Sequence, residues 1–182
     1  MILIFILMFT HVAYGNANCP PNWIKSDDKC LIAFTTDSSV YDNYKLCKSL
    51  NATMVSIHSE KEYNNVGHLI NEGYWFWLGG VQIADRIPSF AWTDGTKFNY
   101  SKWSHGEPQG EKFSLCMAII METRKGWVIY NCGRSHYQLC QKSVNKDIFY
   151  DNEYPEHYVR GLAKNQAVFE HEIKSLNFKI KN

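Results

Sequence analysis

The residues best suited to ligand binding lie together in a polar stretch, residues 101–112, that contains glycine and proline. Tryptophan rings can stack on sugars, and imidazole, carboxylate and amide groups can hold metal ions. His105 has no second histidine or cysteine near it, so it is either a metal ligand or a solvated loop residue. The stretch is the candidate ligand-binding loop, and its candidate residues are Trp103, His105, Glu107, Pro108, Gln109 and Glu111.

Sequence signatures of enzymes and of nucleic-acid-binding proteins are missing. The chain has no Gly-x-Ser-x-Gly elbow and no phosphate-binding loop, and His171-Glu172 lacks the second histidine of a His-Glu-x-x-His zinc site. Lys and Arg number 19 against 18 Asp and Glu, the net charge is +1, and no basic cluster appears. We therefore expect neither catalysis nor a nucleic-acid partner.

The N-terminal sequence predicts export. The apolar run at residues 1–9 is too short to span a bilayer, which takes about 20 residues. Small residues at positions 13, 15 and 17 follow it, and we assign residues 1–17 to a secretory signal peptide. The positive charge usual before such a run is missing, so a buried N-terminal strand is the alternative. No later segment is apolar enough to span a membrane, and the expected mature protein is secreted and extracellular.

Cysteines and glycosylation sequons agree with this compartment. All 6 cysteines lie after residue 17, and an even number in a secreted chain implies disulfide pairs, although counting leaves their connectivity open. Asn51 and Asn99 each begin an N-glycosylation sequon. The cysteines stop at Cys140, which predicts one compact domain at residues 19–142 and a C-terminal extension at 143–182.

The elements that must position the loop are two helices followed by strands. Ser39 and Ser59 each begin a capping-box pattern with apolar residues at helical spacing behind it, and we expect the helices to stop at Asn51 and Gly73. Between them, residues 53–57 alternate as a strand does.

The strands come after Gly73. Asp94-Gly95 is a strong turn signal between two short predicted strands. Together the patterns predict an α+β domain with an antiparallel sheet and one long loop. The predicted strands of this second half cover residues 74–78, 90–92, 97–99, 115–121, 127–132 and 136–141.

Several ordered motifs over residues 19–142 resemble a long-form C-type lectin-like domain. Cys19-Pro20-Pro21-Asn22-Trp23 and the later Cys30 resemble the opening of that domain, and Phe76-Trp77-Leu78-Gly79-Gly80 is similar to the core motif of the family. Phe90-Ala91-Trp92-Thr93-Asp94-Gly95 and Trp103-Ser104-His105-Gly106-Glu107-Pro108 are similar to its hairpin and long loop. The resemblance implies the C-type lectin-like fold, with two helices packed on antiparallel sheets and three disulfides.

The same resemblance implies roles for individual residues. It implies that Trp77, Trp92 and Trp127 fill the core, and it leaves Trp75 and Trp103 open between core and sugar-stacking roles. The cysteine pairs that it implies are Cys19–Cys30, Cys47–Cys140 and Cys116–Cys132.

Sugar-binding members of the family hold a calcium ion in the long loop, and this sequence departs from their ligand pattern. Glu107 keeps the first carboxylate, and Gln109 stands where Asn is expected, with an amide that could still ligate. Ser114 replaces a Glu, and Val128-Ile129 replace an Asn-Asp pair. Calcium takes about six to eight oxygen ligands. We therefore expect a recognition module that binds an extracellular protein or glycan without calcium, with a role in surface recognition or innate immunity. The alternative is a calcium-dependent carbohydrate-binding lectin with a rearranged site.

The extension carries a heptad-like stripe that predicts an amphipathic helix over residues 159–180. One interpretation is self-association, which would multiply weak binding sites through avidity or assemble a structural matrix component. The alternatives are a helix packed on its own domain and a disordered tail. The stripe consists of Val159, Leu162, Gln166, Phe169, Ile173, Leu176 and Ile180.

Overall fold

The structure is a computed structural model that describes residues 19–70, 72–84, 89–109, 114–122 and 125–144. The predicted signal peptide, Glu111 and the predicted helix at 159–180 lie outside the described residues. The α+β class is confirmed, because two helices are followed by the larger part of the sheet. The elements are β1 (Ile24–Ser26), β2 (Lys29–Ser38), α1 (Val40–Ser49), β3 (Thr53–Met54), α2 (Glu60–Leu69), β4 (Trp75–Ala84), β5 (Ser89–Trp92), β6 (Ser114–Ile120), β7 (Gly126–Asn131) and β8 (His136–Ser143).

Both helices begin at the predicted caps. The Ser39 hydroxyl accepts from the Asp42 backbone N–H at 3.2 Å, and the Ser59 hydroxyl accepts from the Glu62 N–H at 3.1 Å. Asn51, after α1, has the left-handed conformation expected at a helix stop, with φ 53°. The predicted end of α2 was wrong: the helix stops at Leu69, because Ile70 is extended and buries its side chain.

The sheet orders its strands β1-β2-β8-β4-β6-β7, with β3 beside β8 and β5 beside β4. The pairs are antiparallel except β4 with β8, which meet in parallel at Phe76 and Tyr137. β8 therefore lies inside the sheet and joins the first half of the domain to the second.

The strand predicted at 74–78 is longer, because β4 continues to Ala84, whereas the strands predicted at 53–57 and 97–99 were wrong because side-chain bonds intervene. The strand expected at 53–57 ends at Met54, because the Ser56 N–H is bonded to the Gln141 side chain at 3.1 Å. The turn at Asp94-Gly95 forms, but residues 97–99 are no strand. Asp94 accepts from the Thr96 N–H at 2.9 Å, which leads the chain away from β5, and β5 pairs with β4 instead.

The core forms two clusters, one on each face of β4. Phe76 belongs to one cluster with Trp92, Trp127 and the inner face of α2, whereas Trp77 belongs to the other, with Val40 of α1 and four of the six cysteines. Trp77, Trp92 and Trp127 are 0 % exposed, so the core roles implied by the resemblance hold. The structure has three disulfide bonds, which are the implied pairs: Cys19–Cys30, Cys47–Cys140 and Cys116–Cys132. Among the described residues, no helix has the length and apolar character to cross a membrane.

Candidate ligand-binding site

The long loop is attached to the outer edge of β7 through backbone hydrogen bonds. The Trp127 N–H donates to the Lys102 carbonyl at 2.7 Å, and the Ser104 N–H donates to the Trp127 carbonyl at 2.9 Å. Gly126 allows this approach: a Cβ there would lie 2.5 Å from the Ser104 nitrogen and 2.7 Å from the Trp103 carbonyl carbon. The backbone at the base of the loop therefore packs directly against Gly126, where no larger residue would fit.

Glu107 holds the outer part of the loop to the same strand. One carboxylate oxygen, Oε2, accepts from the Gln109 N–H at 3.1 Å and from the Ile129 N–H at 3.3 Å. The Glu107–Pro108 peptide is cis. Hydrogen bonds to a carboxylate are stronger than those between neutral groups. The carboxylate that the sequence offered as a calcium ligand therefore fastens the loop to β7.

The described residues do not fit a calcium site of the kind that the resemblance suggests. Val128 and Ile129 are buried aliphatic side chains, 6 % and 5 % exposed, in places where calcium needs oxygen ligands. Within the described ranges, no three His, Cys, Asp or Glu side chains are grouped so that they could hold a metal ion. Only one described carboxylate, that of Glu107, stands at a ligand position, and it accepts two backbone N–H groups.

The remaining candidates of the loop divide into packed and exposed side chains. Trp103 is partly buried, with its ring 4.7 Å from that of Phe90 and 5.8 Å from that of Trp127. His105 and Gln109 are exposed, and Pro108 is half-buried. The loop therefore presents an imidazole and an amide to solvent beside a partly exposed aromatic surface.

Trp75 lies elsewhere, at the start of β4. It is partly buried, with ring centroids 5.2 Å from Tyr130 and 6.0 Å from His136. Burial lowers the pKa of His136 to about 4, with a smaller opposing contribution from Asp37. Trp75 therefore covers the second core cluster and is not part of the long loop.

The start of the loop is tied to α2 by polar contacts. Lys102 donates to Glu60 at 2.8 Å, and the Tyr100 hydroxyl donates to the other oxygen of Glu60 at 2.6 Å. These bonds lower the pKa of Glu60, and burial together with the bond to Glu60 raises the pKa of Tyr100. Both ends of the described loop are therefore anchored, one to α2 and the other to β7.

A buried polar network around Asp94 was missed by sequence reasoning. Asp94 accepts from the hydroxyls of Ser56 at 2.5 Å and Thr96 at 2.6 Å, and from Gln141 at 3.0 Å. His58 lies 3.1 Å from both hydroxyl oxygens. Asp94-Gly95 signalled only a turn, and nothing in the sequence linked it to residues about 40 positions earlier.

The network contains serine, histidine and aspartate but lacks the geometry of a catalytic triad. In a triad the histidine lies between the nucleophile and the aspartate. Here Ser56 bonds directly to Asp94, and Ser56 is 1 % exposed. The hydroxyl has no path to a substrate, so the network supports the fold.

Both predicted sequons are on the surface. The side chains of Asn51 and Asn99 are exposed. The side-chain oxygen of Asn99 lies 3.1 Å from Nδ1 of His58.

The disulfides, the two capped helices and the long loop seated on a sheet edge define the class of small recognition domains built on the C-type lectin-like fold. A family model described as "Lectin C-type domain" matches residues 36–142. The chain belongs to this family.

Individual relatives agree with the assignment. Ladderlectin of Oncorhynchus mykiss is 31% identical over 131 residues, which is 68% of this chain and 68% of the relative. The C-type lectin domain of murine dendritic cell inhibitory receptor 2, solved in complex with N-glycan, aligns with a TM-score of 0.65 and 25% identity over 69% of this chain and 99% of that one. A calcium-independent type II antifreeze protein aligns with a TM-score of 0.63 and 25% identity over 69% and 95% of the two chains.

Proposed function

We propose that this protein is a secreted recognition module without catalytic activity, which binds an extracellular protein or glycan through its long loop and does so without calcium. The observation that carries the proposal is the position of Glu107. Its carboxylate closes the loop onto β7 through the N–H groups of Gln109 and Ile129, which is a structural task that needs no metal.

The ligand-contacting part of the loop is proposed to be its outer surface. The exposed His105 and Gln109 offer hydrogen-bonding groups, and Trp103 with Phe90 offers an aromatic surface beside them. Pro108 shapes this surface, and Glu111, further along the chain, is proposed to extend it. Such a mixture of aromatic and polar groups is typical of sites that bind proteins or sugars.

The known relatives support two parts of this proposal, glycan binding and independence of calcium. One neighbour of this fold was solved with an N-glycan, and another is described as calcium-independent. Export is supported by the three disulfides and by the exposed sequon residues Asn51 and Asn99, which we propose as glycosylation sites. The N-terminal apolar run is proposed as the signal peptide.

Thermal unfolding tests the calcium-free part of the proposal. The melting temperature is measured in about 5 mM calcium and again with chelator, a concentration that saturates extracellular calcium modules. We expect the same melting temperature in both. A rise of a few degrees with calcium, lost in Glu107→Ala but retained in Glu122→Ala at an exposed carboxylate, would instead establish a calcium-dependent lectin.

Binding itself is tested with variants that leave the fold intact. His105→Ala with Gln109→Ala removes two exposed side chains of the loop, and Lys45→Ala with Lys48→Ala on α1 serves as the control pair. Screening against glycan arrays and extracellular protein libraries should give ligands that the loop variant binds at least about tenfold more weakly. Equal binding by the loop variant and the control pair would place the ligand site elsewhere.

A further inference from the structure

His58 connects the buried polar network to the surface of the domain. Its Nε2 lies 3.1 Å from the hydroxyl oxygens of Ser56 and Thr96, and its Nδ1 lies 3.1 Å from Oδ1 of Asn99. Asn99 comes immediately before Tyr100, which ties the start of the long loop to α2. One imidazole therefore joins the buried network to the segment that leads into the candidate ligand-binding loop.

The protons of the network can be placed from its obligatory donors. The Ser56 N–H donates to Oε1 of Gln141 at 3.1 Å, which fixes the orientation of that amide, so its Nε2 donates to Asp94 and to the Ser56 hydroxyl oxygen. An ionised carboxylate only accepts, so the hydroxyls of Ser56 and Thr96 donate to Asp94. Both hydroxyl protons are thus used, and each hydroxyl oxygen is left as an acceptor.

This arrangement assigns a proton to Nε2 of His58. The two hydroxyls that face Nε2 offer it lone pairs and no hydrogen, so these contacts form only if Nε2 is the donor. A neutral imidazole has one N–H, and its other nitrogen is then an acceptor. Nδ1 of a neutral His58 therefore cannot donate to Asn99, whereas Nδ1 of the charged imidazolium can.

The two charge states of His58 need opposite orientations of the Asn99 amide. The imidazolium donates from Nδ1 to Oδ1, which is the pairing at 3.1 Å. Beside a neutral imidazole the same oxygen would face a lone pair, and the amide must turn so that its Nδ2 donates to Nδ1. The bond from the imidazolium is the stronger one, because hydrogen bonds from charged donors are roughly twice as strong as neutral ones.

We propose that His58 and Asn99 form a proton-controlled latch, which holds residues 97–101 to the domain more firmly when the imidazole is charged. Histidine is the side chain whose charge ordinarily changes between about pH 5 and pH 8. The latch rests on the proposed function only for its consequence: residues 97–101 lead into the proposed ligand-binding loop, so acid would fix the arrangement of the loop's start.

The charged groups around the imidazole fit this role. Asp94 is one hydroxyl group away from Nε2, so a buried negative charge lies on that side of the ring. The His58 backbone N–H donates to Oε2 of Glu62 at 3.2 Å, and Glu62 is ion-paired with Lys29 at 2.7 Å. The neutral ring of Trp92 meets the imidazole edge-on, with centroids 6.0 Å apart. The charge that the network places beside the ring is therefore opposite in sign to that of an imidazolium.

Nitrogen NMR of the histidine-labelled chain tests the proton assignment, at about pH 8 and about pH 5. The signals of His58 are identified by their loss in His58→Gln. We expect a proton on Nε2 and none on Nδ1 at the higher pH, and protons on both nitrogens at the lower one. A proton on Nδ1 alone at the higher pH would overturn the proposal, because the hydroxyls would then have to donate to Nε2.

Amide hydrogen exchange of the oxidised full chain, corrected for the intrinsic effect of pH, tests the latch itself. Residues 97–101 should be at least about threefold better protected at about pH 5 than at about pH 8. Protonation of the buried His136 destabilises the folded chain and would act in the opposite direction, so it cannot produce this result.

Variants separate the latch from the glycan proposed at Asn99. Asn99→Ala removes both, whereas Ser101→Ala removes only the sequon and keeps the Asn99 amide. The difference in protection between the two pH values should vanish in Asn99→Ala and in His58→Gln, and it should persist in Ser101→Ala.

Three results of the exchange experiment would overturn the proposal: no difference in the native chain, a difference that persists in Asn99→Ala, or one that vanishes in Ser101→Ala. The last would assign the effect to the glycan. These measurements use neither ligand nor calcium, so a failed latch would leave the proposed ligand binding untouched, and a failed ligand screen would leave the latch untouched.

Discussion

Asp94 and Glu107 are two carboxylates in neighbouring parts of the second half of the chain, and the two regions use them in different ways. Asp94 is buried, and hydroxyl and amide side chains from distant segments surround it. Glu107 is half-buried, and its partners are backbone N–H groups of the loop and of β7.

The difference shows which region supports the fold and which one can vary. A buried charge needs all its partners, and losing one leaves the others unsatisfied. A half-exposed carboxylate can exchange its partners for water at a small cost. We infer that the Asp94 network contributes to the stability of the whole domain, whereas Glu107 sets the shape of the proposed ligand-binding loop.

The largest expected effect is that of Asp94→Ala. It leaves the hydroxyls of Ser56 and Thr96 and the amide of Gln141 buried without their acceptor, which should lower the free energy of unfolding by about 3–4 kcal/mol. Denaturant unfolding measures it, with Asp28→Ala at an exposed carboxylate as the control. A loss no larger than that of the control would show that the network does not support the fold.

The next effect is a loss of stability in acid that comes from His136. Because burial lowers its folded pKa to about 4, below the ordinary value of 6.5, the unfolded chain takes up the proton first as the pH falls. The free energy of unfolding should therefore decrease between about pH 6.5 and pH 4, by up to about 3 kcal/mol before solvent screening. Below this range the contribution is constant.

Histidine variants separate this contribution from the general effect of acid. Between about pH 6.5 and pH 4, the free energy of unfolding of His136→Gln should decrease less than that of the native chain. His105→Gln, at an exposed position, should show the same decrease as the native chain. If the free energy of unfolding decreased equally in the two variants, the acid sensitivity would come from other groups.

Gly126→Ala should disturb the base of the loop and lower the free energy of unfolding by about 2 kcal/mol. The added Cβ would meet the backbone of residues 102–104, and φ at Gly126 is +140°. The Ser104 amide should then exchange faster with solvent, because its bond to Trp127 is displaced. Gly106→Ala is the matched control: it has φ +83° in the same loop but open space around it, so strain without a clash should cost about 1 kcal/mol.

The smallest effect is expected for Glu107→Gln. The amide oxygen can still accept from Gln109 and Ile129 but without a charge, so stability should fall by about 1 kcal/mol or less. The informative measurement is amide exchange, which should rise at Ile129 and not at Trp127. A loss as large as that of Asp94→Ala would remove the distinction between the two regions.

The helix starts, the turn at Asp94-Gly95 and the order of the elements could be predicted because they depend on neighbouring residues. Ser39 and Ser59 cap helices through contacts three residues away. The end of α2 was misplaced because Gly73 is the stronger local stop signal, whereas burial of Ile70 in the core ends the helix earlier.

For the candidate site, the sequence supplied the loop residues and the departure from the calcium pattern. It could not show that Glu107 bonds across to Ile129, because 22 positions separate them and no local rule links such residues. It also missed Ser56 and His58, whose side chains matter only after β8 and the Asp94 turn are brought beside them.

The sequence by itself determined the α+β class, the helix caps and the family resemblance, since these depend on residue type and short spacing. Only the tertiary structure decided that Glu107 fastens a loop and that Asp94 is the centre of a buried network. Each of these depends on which distant segments meet. Packing of the two core clusters around β4 brings those segments together, because burying apolar surface is the dominant favourable term in folding.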